Sequence, residues 1–392
     1  MDEMDHYDIV IVGGGAVGLS LLYSLSAFFK ILVLESRKNI PVSQDRFIVL
    51  SNSSRKFYQN LALWQAIEPH CSAIESIEVS VQGEYGTSVL KTNNTLHPAM
   101  GYVISLHTLE ALLSHTLDNR SLNIGIGARL TECYYQENTW KIEYIQNEMV
   151  KKVTAQCLIG ADGQDSLVRI KNNIGLTKKS YNHQAIIGTV TTQGHAGQAF
   201  ERLLAKGAIA FLPLADKRAV FIWTLPDTYA KAWFEKPDEA LLNILQNEFG
   251  YRLGKLSDLQ CKKIFPLNMT QADLQGKAHQ KLLLMGTAAL SLHPIGAQGL
   301  NLSLRNIQSF VNLIQMQLHH EASVNIEKLI QDYVEGVGSD QLQTQWMTDT
   351  LATYVAGGPF PKSIRALGVT LFDSLSPLKK AFTRMNMGLG VL

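Results

Sequence analysis

The sequence predicts an α/β protein: a Rossmann-like nucleotide-binding domain interrupted by a second, mostly antiparallel β-sheet and followed by C-terminal helices. Three separated glycine-bearing segments, at residues 13–18, 160–163 and 293–299, are the main observation behind this prediction. Apolar runs with strand-like pattern precede the first two, and a long helical pattern follows the third. A discontinuous nucleotide-binding domain, interrupted by an inserted domain, accounts for the order and spacing of these segments.

The first segment stands in a strand–loop–helix context. Residues 7–12 are a β-branched run that predicts a buried parallel strand, and residues 19–29 predict a helix. Gly13 permits a tight turn, Gly15 lets the backbone approach a pyrophosphate, and Gly18 lets helix and strand pack closely. The N–H groups at the start of the helix, at Ala16 and Val17, suit a phosphate.

The second strand is predicted over residues 30–35 and ends at an acid. Glu35 lies 17 residues beyond Gly18, close to the spacing of about 20 expected for an acid that binds a ribose hydroxyl. An acid at this point suits an adenosine ribose without a 2′-phosphate. The loop therefore predicts FAD or NAD rather than NADP as the resident nucleotide.

Composition and charge fit an intracellular enzyme. The 392 residues are 46% hydrophobic and 18% charged, which is enough for two or three domains with cores. A net charge of +1 gives no field that recruits nucleic acid. The four cysteines are scattered and His319, His320 and Glu321 are consecutive, so neither set predicts a metal site.

Two observations argue for a cytoplasmic location. Residues 9–29 are apolar enough to resemble a membrane span, but three consecutive glycines inside the run and a charge directly after it argue against one. The acidic residues 1–5 lack the basic start of a signal peptide.

The remaining elements predict a discontinuous domain layout. The nucleotide-binding domain is expected over residues 1–75, 100–180 and 281–340, the second domain over 76–99 and 181–280, and a C-terminal helical region over 341–392. Further strands are predicted at residues 77–81, 140–144, 153–159, 185–192, 209–214, 218–225 and 282–286, and further helices at 106–117 and 301–318.

The second and third glycine segments carry a family resemblance. Two regions of the chain resemble stretches of the FAD-dependent aromatic hydroxylases. The first is Cys157-Leu-Ile-Gly-Ala-Asp-Gly-Gln-Asp-Ser-Leu-Val-Arg169. The second comprises Gly286-Thr-Ala-Ala, His293-Pro294 and Gly296-Ala-Gln-Gly-Leu-Asn-Leu302. The resemblance covers most of the chain. It is nearest to the polyprenylphenol hydroxylases of ubiquinone biosynthesis, in particular the 2-polyprenyl-6-methoxyphenol hydroxylases. Residues 46–50, 181–185, 201–203, 211–214 and 348–349 support this nearer match.

The resemblance implies a p-hydroxybenzoate-hydroxylase-like fold and a set of FAD-binding residues. Arg46 is expected beside the isoalloxazine, Asp162 at the cofactor and domain junction, and Thr287 at the ribityl chain. N–H groups before the helix at 301–318 would stabilise the anionic pyrimidine ring of reduced flavin. The full predicted set is Gly13, Gly15, Ala16, Val17, Gly18, Glu35, Arg46, Asp162, Gly163, Gly286, Thr287, Pro294, Gly296, Ala297, Gln298, Gly299 and Asn301.

The implied activity is hydroxylation of the aromatic ring of a polyprenylated phenol. In the hypothesised mechanism NADH or NADPH reduces FAD, reduced FAD and O2 give a C4a-hydroperoxide, and the phenol ring attacks its distal oxygen. Because the single G-x-G-x-x-G is assigned to FAD, the nicotinamide donor is expected to visit transiently. No single acid or base is singled out as catalytic, since the cofactor carries the chemistry.

Departures from the family pattern keep two other functions open. Thr287 and Leu290 stand where the family has Asp and His, and Ala297 stands where it has Gly. Thr287 can still donate to a ribityl oxygen, but without a charge-assisted bond. The alternatives are a non-catalytic or weakly flavinylated scaffold subunit of a ubiquinone-biosynthesis complex, and a flavin-dependent reductase on the same fold.

The substrate pocket is the least specific prediction. Phe211, Pro213 and Trp223 are candidates for an aromatic lining, although any half-buried sheet shows the same pattern. His183 and His293 are candidates for substrate contact, although a hydrogen-bonded structural role is the preferred interpretation of each.

The C-terminal stretch suggests where a lipid substrate arrives. Ile364, Leu367, Leu371 and Leu375 share one helical face, and the basic residues of this stretch outnumber its single acid, Asp373. Such a helix can lie on the anionic inner face of a membrane, or it can pack on the core of the protein.

Overall fold

The structure, a computed structural model, describes residues 4–38, 46–92, 98–117, 122–356 and 361–388. Part of the acidic start, residues 1–3, lies outside these ranges. The strands are β1 (His6–Val12), β2 (Ile31–Glu35), β3 (Phe47–Leu50), β4 (Ser72–Ile74), β5 (Ser76–Val81), β6 (Thr87–Lys91), β7 (Gly101–Ser105), β8 (Asn123–Ile126), β9 (Arg129–Gln136), β10 (Thr139–Gln146), β11 (Met149–Gly160), β12 (Leu176–Thr191), β13 (Gln198–Leu204), β14 (Gly207–Pro213), β15 (Arg218–Pro226), β16 (Ser257–Ala272), β17 (Gly276–Lys277), β18 (Leu282–Leu284) and β19 (Leu290–Ser291).

The helices connect and cover these strands. They are α1 (Ala16–Leu25), α2 (Asn52–Asn60), α3 (Trp64–Ile67), α4 (Leu106–Leu117), α5 (Leu167–Lys171), α6 (Asp227–Phe234), α7 (Asp238–Phe249), α8 (Gln298–His320), α9 (Ile326–Thr350), α10 (Lys362–Ser374) and α11 (Ser376–Asn386). A π-helical segment, Leu351–Ala356, continues α9.

The nucleotide sheet has the order β17-β18-β11-β1-β2-β8. Its five strands from β18 to β8 are parallel to one another, and β9 and β10 form an antiparallel extension on β11. Helices α1, α4, α8 and α9 cover one face through a large apolar cluster. The sequences of these strands are continuous apolar runs because both faces of the sheet are buried.

The second sheet has the order β19-β16-β12-β15-β14-β13-β5-β6 and is antiparallel except for the pair β13–β5. It agrees with the mostly antiparallel sheet predicted from the sequence. Strand β12 is longer than predicted and begins at Leu176, before the domain boundary expected at residue 180. A small third sheet, β3-β7-β4, was not predicted, because its strands are only three to five residues long.

Both faces of the second sheet are covered. Helix α7 packs on one face over an aromatic core that contains Phe211, Phe221, Trp223 and Phe249. Helices α10 and α11 pack on the other face and on the third sheet, through Ala366, Phe372 and Met387 among others.

Candidate cofactor and substrate site

Four predicted site segments meet at one edge of the nucleotide sheet. Strands β18, β11, β1 and β2 are parallel neighbours, so their carboxyl ends lie side by side. In the register, Val12 is paired with Gly160 and with Leu34, and Gly160 is paired with Leu284. The glycine loop, Glu35, the 160–163 turn and Gly286 therefore follow one another along the edge where α/β sheets bind ligands.

The glycine loop is packed too tightly for side chains. Gly13 has φ +105°, and a Cβ placed on it would lie 2.3 Å from the carbonyl oxygen of Ala161. A Cβ on Gly18 would lie 1.8 Å from the carbonyl oxygen of Gly13. Close contact between loop, helix and neighbouring strand thus requires glycine at both positions, as the sequence predicted. Helix α1 begins at Ala16 with its N-terminus facing the edge.

Carboxylates already bind two N–H groups of this loop. Glu35 accepts a hydrogen bond from the N–H of Gly14 at 2.8 Å, and Glu110 accepts one from the N–H of Ala16 at 3.1 Å. Arg37 bridges the two acids, with Nε 3.0 Å from Glu35 and Nη1 3.0 Å from Glu110. Burial acts to raise the pKa of Glu35, but the hydrogen bonds from Arg37 and Gly14 outweigh it and lower that pKa.

Glu110 and Arg37 were not identified from the sequence. Glu110 lies in α4, and its contact with Ala16 joins residues 94 positions apart. Nothing in the amphipathic pattern of α4 distinguishes this acid from a solvent-facing one.

Asp162 has one oxygen in use and one oxygen without a partner. Its Oδ2 accepts hydrogen bonds from the N–H groups of Leu167 at 2.7 Å and Val168 at 3.2 Å, at the start of α5. Its Oδ1 is buried and has no hydrogen-bond partner among the described residues. A buried carboxylate oxygen usually has a donor, so this atom indicates room for a donor from a bound group. Gly163, at φ +89°, has no atom within 4 Å of a Cβ placed on it.

The turn after β18 is formed by Gly286 and Thr287, and its position at a ribityl chain stays a prediction. Gly286 has φ +64° and packs against Val17 of α1, with 3.2 Å from its ideal Cβ position to the side chain. Thr287 is exposed, whereas Leu290 is buried with Leu292 and Leu302. The residue in place of the family His therefore fills a small apolar cluster and does not face solvent.

The third glycine segment makes two successive left-handed turns before α8. Gly296 has φ 71° and Ala297 has φ 51°. Ala297 thus adopts the conformation that favours glycine, the residue that the family pattern has here. Pro294, Gly296 and Gly299 are exposed, whereas Gln298 is buried and donates to the carbonyl of Gly296 at 3.0 Å. The helix begins at Gln298, three residues earlier than predicted.

Asn301 has a structural role that the sequence did not reveal. Its Oδ1 accepts hydrogen bonds from Ser51 N at 2.9 Å and Ser54 Oγ at 2.6 Å. Its Nδ2 donates to the carbonyls of Val49 at 2.9 Å and Ala297 at 2.8 Å. An asparagine side chain has no further donors. The side chain expected at the flavin is therefore engaged in holding α8, β3 and α2 together.

Arg46 lies at the start of β3 with an exposed side chain. Its carbonyl accepts a hydrogen bond from the N–H of Leu106, the first residue of α4. Its position beside the isoalloxazine stays a prediction.

The two histidines meet around a tyrosine. The Tyr181 ring lies edge-on to His293 with centroids 4.8 Å apart, and Nδ1 of His183 lies 2.8 Å from the Tyr181 carbonyl oxygen. The Tyr181 hydroxyl donates to Asp349 at 2.9 Å. Nδ1 of His293 accepts from the N–H of Ile295 at 3.2 Å. Burial first, and then nearby His183, lower the pKa of His293 to about 4, so this ring is neutral near pH 7. Residues 181–185 and 348–349 both carried the nearer resemblance, but their contact was not predicted.

The three residues predicted to form an aromatic substrate lining are packed in the core of the second sheet, and their contact with substrate stays a prediction. Phe211 and Trp223 are 1% and 0% exposed and belong to the core under α7, and Pro213 lies on the same face of β14 as Phe211. Their partner strands carry Phe221 and Ala219 on that face. Alternation in a strand identifies two faces but does not show which one faces a ligand.

The opposite face of this sheet carries a partly buried acid. Glu201 of β13 lies between Ala199 and Leu203, which pack towards α10 and α11. Its register neighbours are Val79 and Ala210, both apolar. Burial raises the pKa of Glu201 to about 7.

The residues at the sheet edge fit an FAD molecule. Gly15 leaves the backbone open at the start of α1, Glu35 ends the second strand at the position expected to bind a ribose hydroxyl, and Asp162 Oδ1 lacks a donor among the described residues. Together with the left-handed turns before α8, these features could hold an extended dinucleotide across the sheet edge.

Comparison with known proteins supports this arrangement. A family model described as FAD binding domain matches residues 6–335. The chain is 25% identical to the mitochondrial ubiquinone biosynthesis monooxygenase of Schizosaccharomyces pombe, over 95% of this chain and 90% of that protein. It is 24% identical to the 3-demethoxyubiquinol 3-hydroxylase of Escherichia coli, over 97% and 98% of the two chains.

Solved structures show the same fold. The p-nitrophenol 4-monooxygenase of Pseudomonas putida superposes with a TM-score of 0.81 at 14% identity, covering 99% of both chains. The predicted fold class is confirmed by this likeness.

Proposed function

This chain belongs to the FAD binding domain family and is an FAD-dependent aromatic monooxygenase, and we propose that its substrate is a polyprenylated phenol of ubiquinone biosynthesis. The observation that carries the substrate proposal is the near-complete coverage of relatives named for ubiquinone hydroxylation. Residues 181–185 and 201–203, which carried the nearer resemblance, lie in β12 and β13 of the second sheet.

The chain itself would bind and orient the reactants. Bound FAD, reduced by NADH or NADPH, supplies the oxygen-transfer chemistry, and the protein supplies position and a dry environment. The glycine loop and Glu35 would hold the adenosine diphosphate part. The Ile295 side chain, beside the third glycine segment, packs against a small apolar cluster that includes Ala366 of α10.

The test is ring hydroxylation with labelled oxygen. Purified protein with FAD and NADH or NADPH is given a prenylated phenol under isotopically labelled O2, and mass spectrometry follows the label. Label in the ring, with faster turnover of a prenylated than an unprenylated phenol, supports the proposal. A reduced but unlabelled product would favour the reductase alternative, and no FAD uptake at all would favour the scaffold alternative.

The C-terminal helices offer a surface for the lipid end of this chemistry. Ile364, Leu367, Leu371, Leu375 and Leu378 are each 52–58% exposed and recur at helical spacing. The opposite side fastens the helices to the fold, with the Phe372 and Phe382 rings 5.4 Å apart. The apolar face predicted from the sequence is therefore exposed, while the same helices pack on the core through their other side.

Charge favours an anionic lipid surface as the occupant of this face. Residues 361–388 contain five basic side chains and one acid, Asp373, which pairs with Lys379 at 2.5 Å. Lys380 is exposed next to Leu378. An apolar stripe with basic neighbours is the pattern of interfacial helices. No helix among the described residues is long and apolar enough to cross a bilayer.

Vesicle flotation tests the membrane contact. The triple variant Leu367→Gln, Leu371→Gln, Leu375→Gln is compared with wild type on vesicles with and without phosphatidylglycerol. Leu274→Gln, also 52% exposed but outside the C-terminal helices, is the control. Loss of binding only in the triple variant supports the contact. Wild type that does not float, but forms a dimer that the triple variant breaks, would overturn it.

A further inference from the structure

A buried carboxylate stands at the N-terminus of the first helix. Glu110 is 8% exposed, and its Oε1 lies 3.1 Å from the N–H of Ala16, the first residue of α1. The positive end of the helix dipole stabilises a negative charge there. The same helix end is where dinucleotide folds bind the diphosphate of their ligand.

Geometry places Glu110 in the path of a diphosphate. A Cβ on Gly15 would lie 3.1 Å from Oε1 of Glu110, so the carboxylate already touches the backbone that glycine leaves open. On the other side, Glu35 binds the N–H of Gly14. Two of the loop's N–H groups are thus bound by the protein's own acids.

The local charge also opposes an anion. Arg37 is the cation that contacts both Glu35 and Glu110, so these three side chains carry a net charge of −1. The hydrogen bonds that Arg37 donates to the Glu35 carboxylate raise the pKa of Arg37, which keeps the guanidinium charged. The bond from Nη1 of Arg37 to Oε2 leaves Oε1 of Glu110 directed at the helix end.

We propose that Glu110 is an internal competitor for the diphosphate of FAD at the N-terminus of α1, which makes FAD a readily dissociable cofactor of this chain. To bind FAD, Glu110 gives up its hydrogen bond with Ala16 and keeps the one with Arg37. The inference rests on FAD binding at the glycine loop and is independent of the proposed phenol substrate.

The test measures ligand affinity, not turnover. Dissociation constants of FAD, ADP and adenosine are determined for wild type, Glu110→Gln and Glu110→Asp, by flavin fluorescence or calorimetry. Glu132→Gln, an exposed acid paired with Lys171, is the matched control. Glu110→Gln keeps the size of the side chain, removes its charge and can donate to a phosphate oxygen.

We expect Glu110→Gln to bind FAD and ADP about tenfold more tightly, because a like charge beside the diphosphate is removed. Adenosine, which has no phosphate, should bind equally to both proteins. Glu110→Asp keeps the charge on a shorter side chain. Its affinity for FAD and ADP should lie between that of wild type and that of Glu110→Gln. Unchanged or weaker FAD binding in Glu110→Gln, with a melting temperature like that of wild type, would overturn the proposal. If Glu110→Gln does not fold, the Glu110→Asp comparison decides: unchanged ADP affinity counts against competition.

Discussion

The Oδ1 atom of Asn301 accepts a hydrogen bond from the backbone N–H of Ser51 at 2.9 Å, across 250 residues of sequence. Through this bond the first turn of α8 is fixed to the end of β3, directly behind the left-handed turn at Ala297. The site loop is thus held from behind by a side chain that was expected to face the cofactor.

Replacing Asn301 by Ala should lower the free energy of unfolding by about 2–4 kcal/mol, since buried partners at Ser51 and Val49 lose their hydrogen bonds. FAD affinity should fall as well, because the loop before α8 is loosened. Urea unfolding measures the first effect, with the exposed Asn312→Ala on the same helix as control. A loss no larger than in Asn312→Ala would contradict the role given to this side chain.

Gly15→Val should remove FAD binding without unfolding the protein. Gly15 has φ −76° and ψ −175°, an extended backbone that valine adopts easily. Its side chain would instead fill the approach of the diphosphate, and affinity should drop by at least about a hundredfold. Flavin fluorescence and thermal melting separate the two effects. Gly336→Ala, in open space on α9, is the control; FAD affinity within twofold of wild type in Gly15→Val would remove the loop from the site.

Ala297→Gly should leave stability unchanged or raise it by up to about 1 kcal/mol, because relief of the left-handed strain is partly offset by the freer unfolded chain. The strain arises because Ala297 has a φ of 51°, which glycine adopts more readily than alanine. Ala66→Gly, at an exposed helical position of α3, should show the opposite sign. Chemical denaturation compares the two variants, and a clear destabilisation by Ala297→Gly would argue against the left-handed turn.

His293 should make the protein less stable in mild acid. Its pKa is lowered from 6.5 to about 4 in the fold, so the unfolded chain binds the proton more readily. The free energy of unfolding should therefore fall by up to about 3 kcal/mol as the pH falls from 6.5 towards 4. His293→Asn keeps an acceptor for the N–H of Ile295 and should flatten this slope, whereas the exposed His115→Asn should not. Equal slopes in both variants would refute the assignment.

Glu201 should have the opposite effect in an overlapping pH range. Its pKa is raised from 4.5 to about 7, so the folded state holds the proton more tightly. Its contribution is complete below pH 4.5 and is lost as the pH rises towards 7, by about 1–3 kcal/mol. Glu201→Gln should be more stable than wild type above pH 7, with the exposed Glu239→Gln as control. Because the two groups partly cancel between pH 4.5 and 6.5, only the single variants reveal either slope.

The nucleotide-binding edge was predictable because its requirements are local. A strand, a glycine and a helix follow one another in the chain, and close backbone contact at Gly13 and Gly18 leaves no room for other residues. The position of the acid at the end of β2 was predictable for the same reason, because it belongs to the same short strand–loop–helix–strand unit.

The remaining site residues depend on contacts that the sequence does not display. Glu110 reaches Ala16 only because α4 packs beside α1, and Tyr181 reaches Asp349 only because the end of α9 passes β12. Phe211 and Trp223 were assigned to a pocket because alternation cannot tell which face α7 covers. The same limit applies to the C-terminal leucines. Their spacing predicted which residues share one helical face, but not whether that face points to solvent or to the core.

The parallel arrangement β18-β11-β1-β2 also determines when the site can form during synthesis. Strands β1, β2 and β11 are complete once Gly160 has been made, but β18 follows only at Leu282–Leu284, and the turns before α8 come later still. Until then the ribosome-bound chain has an unpaired strand edge at β11, open to misassembly. The nascent protein therefore acquires its flavin-binding capacity only after β18 and the start of α8 have been made, and fragments that stop before β18 should bind no cofactor.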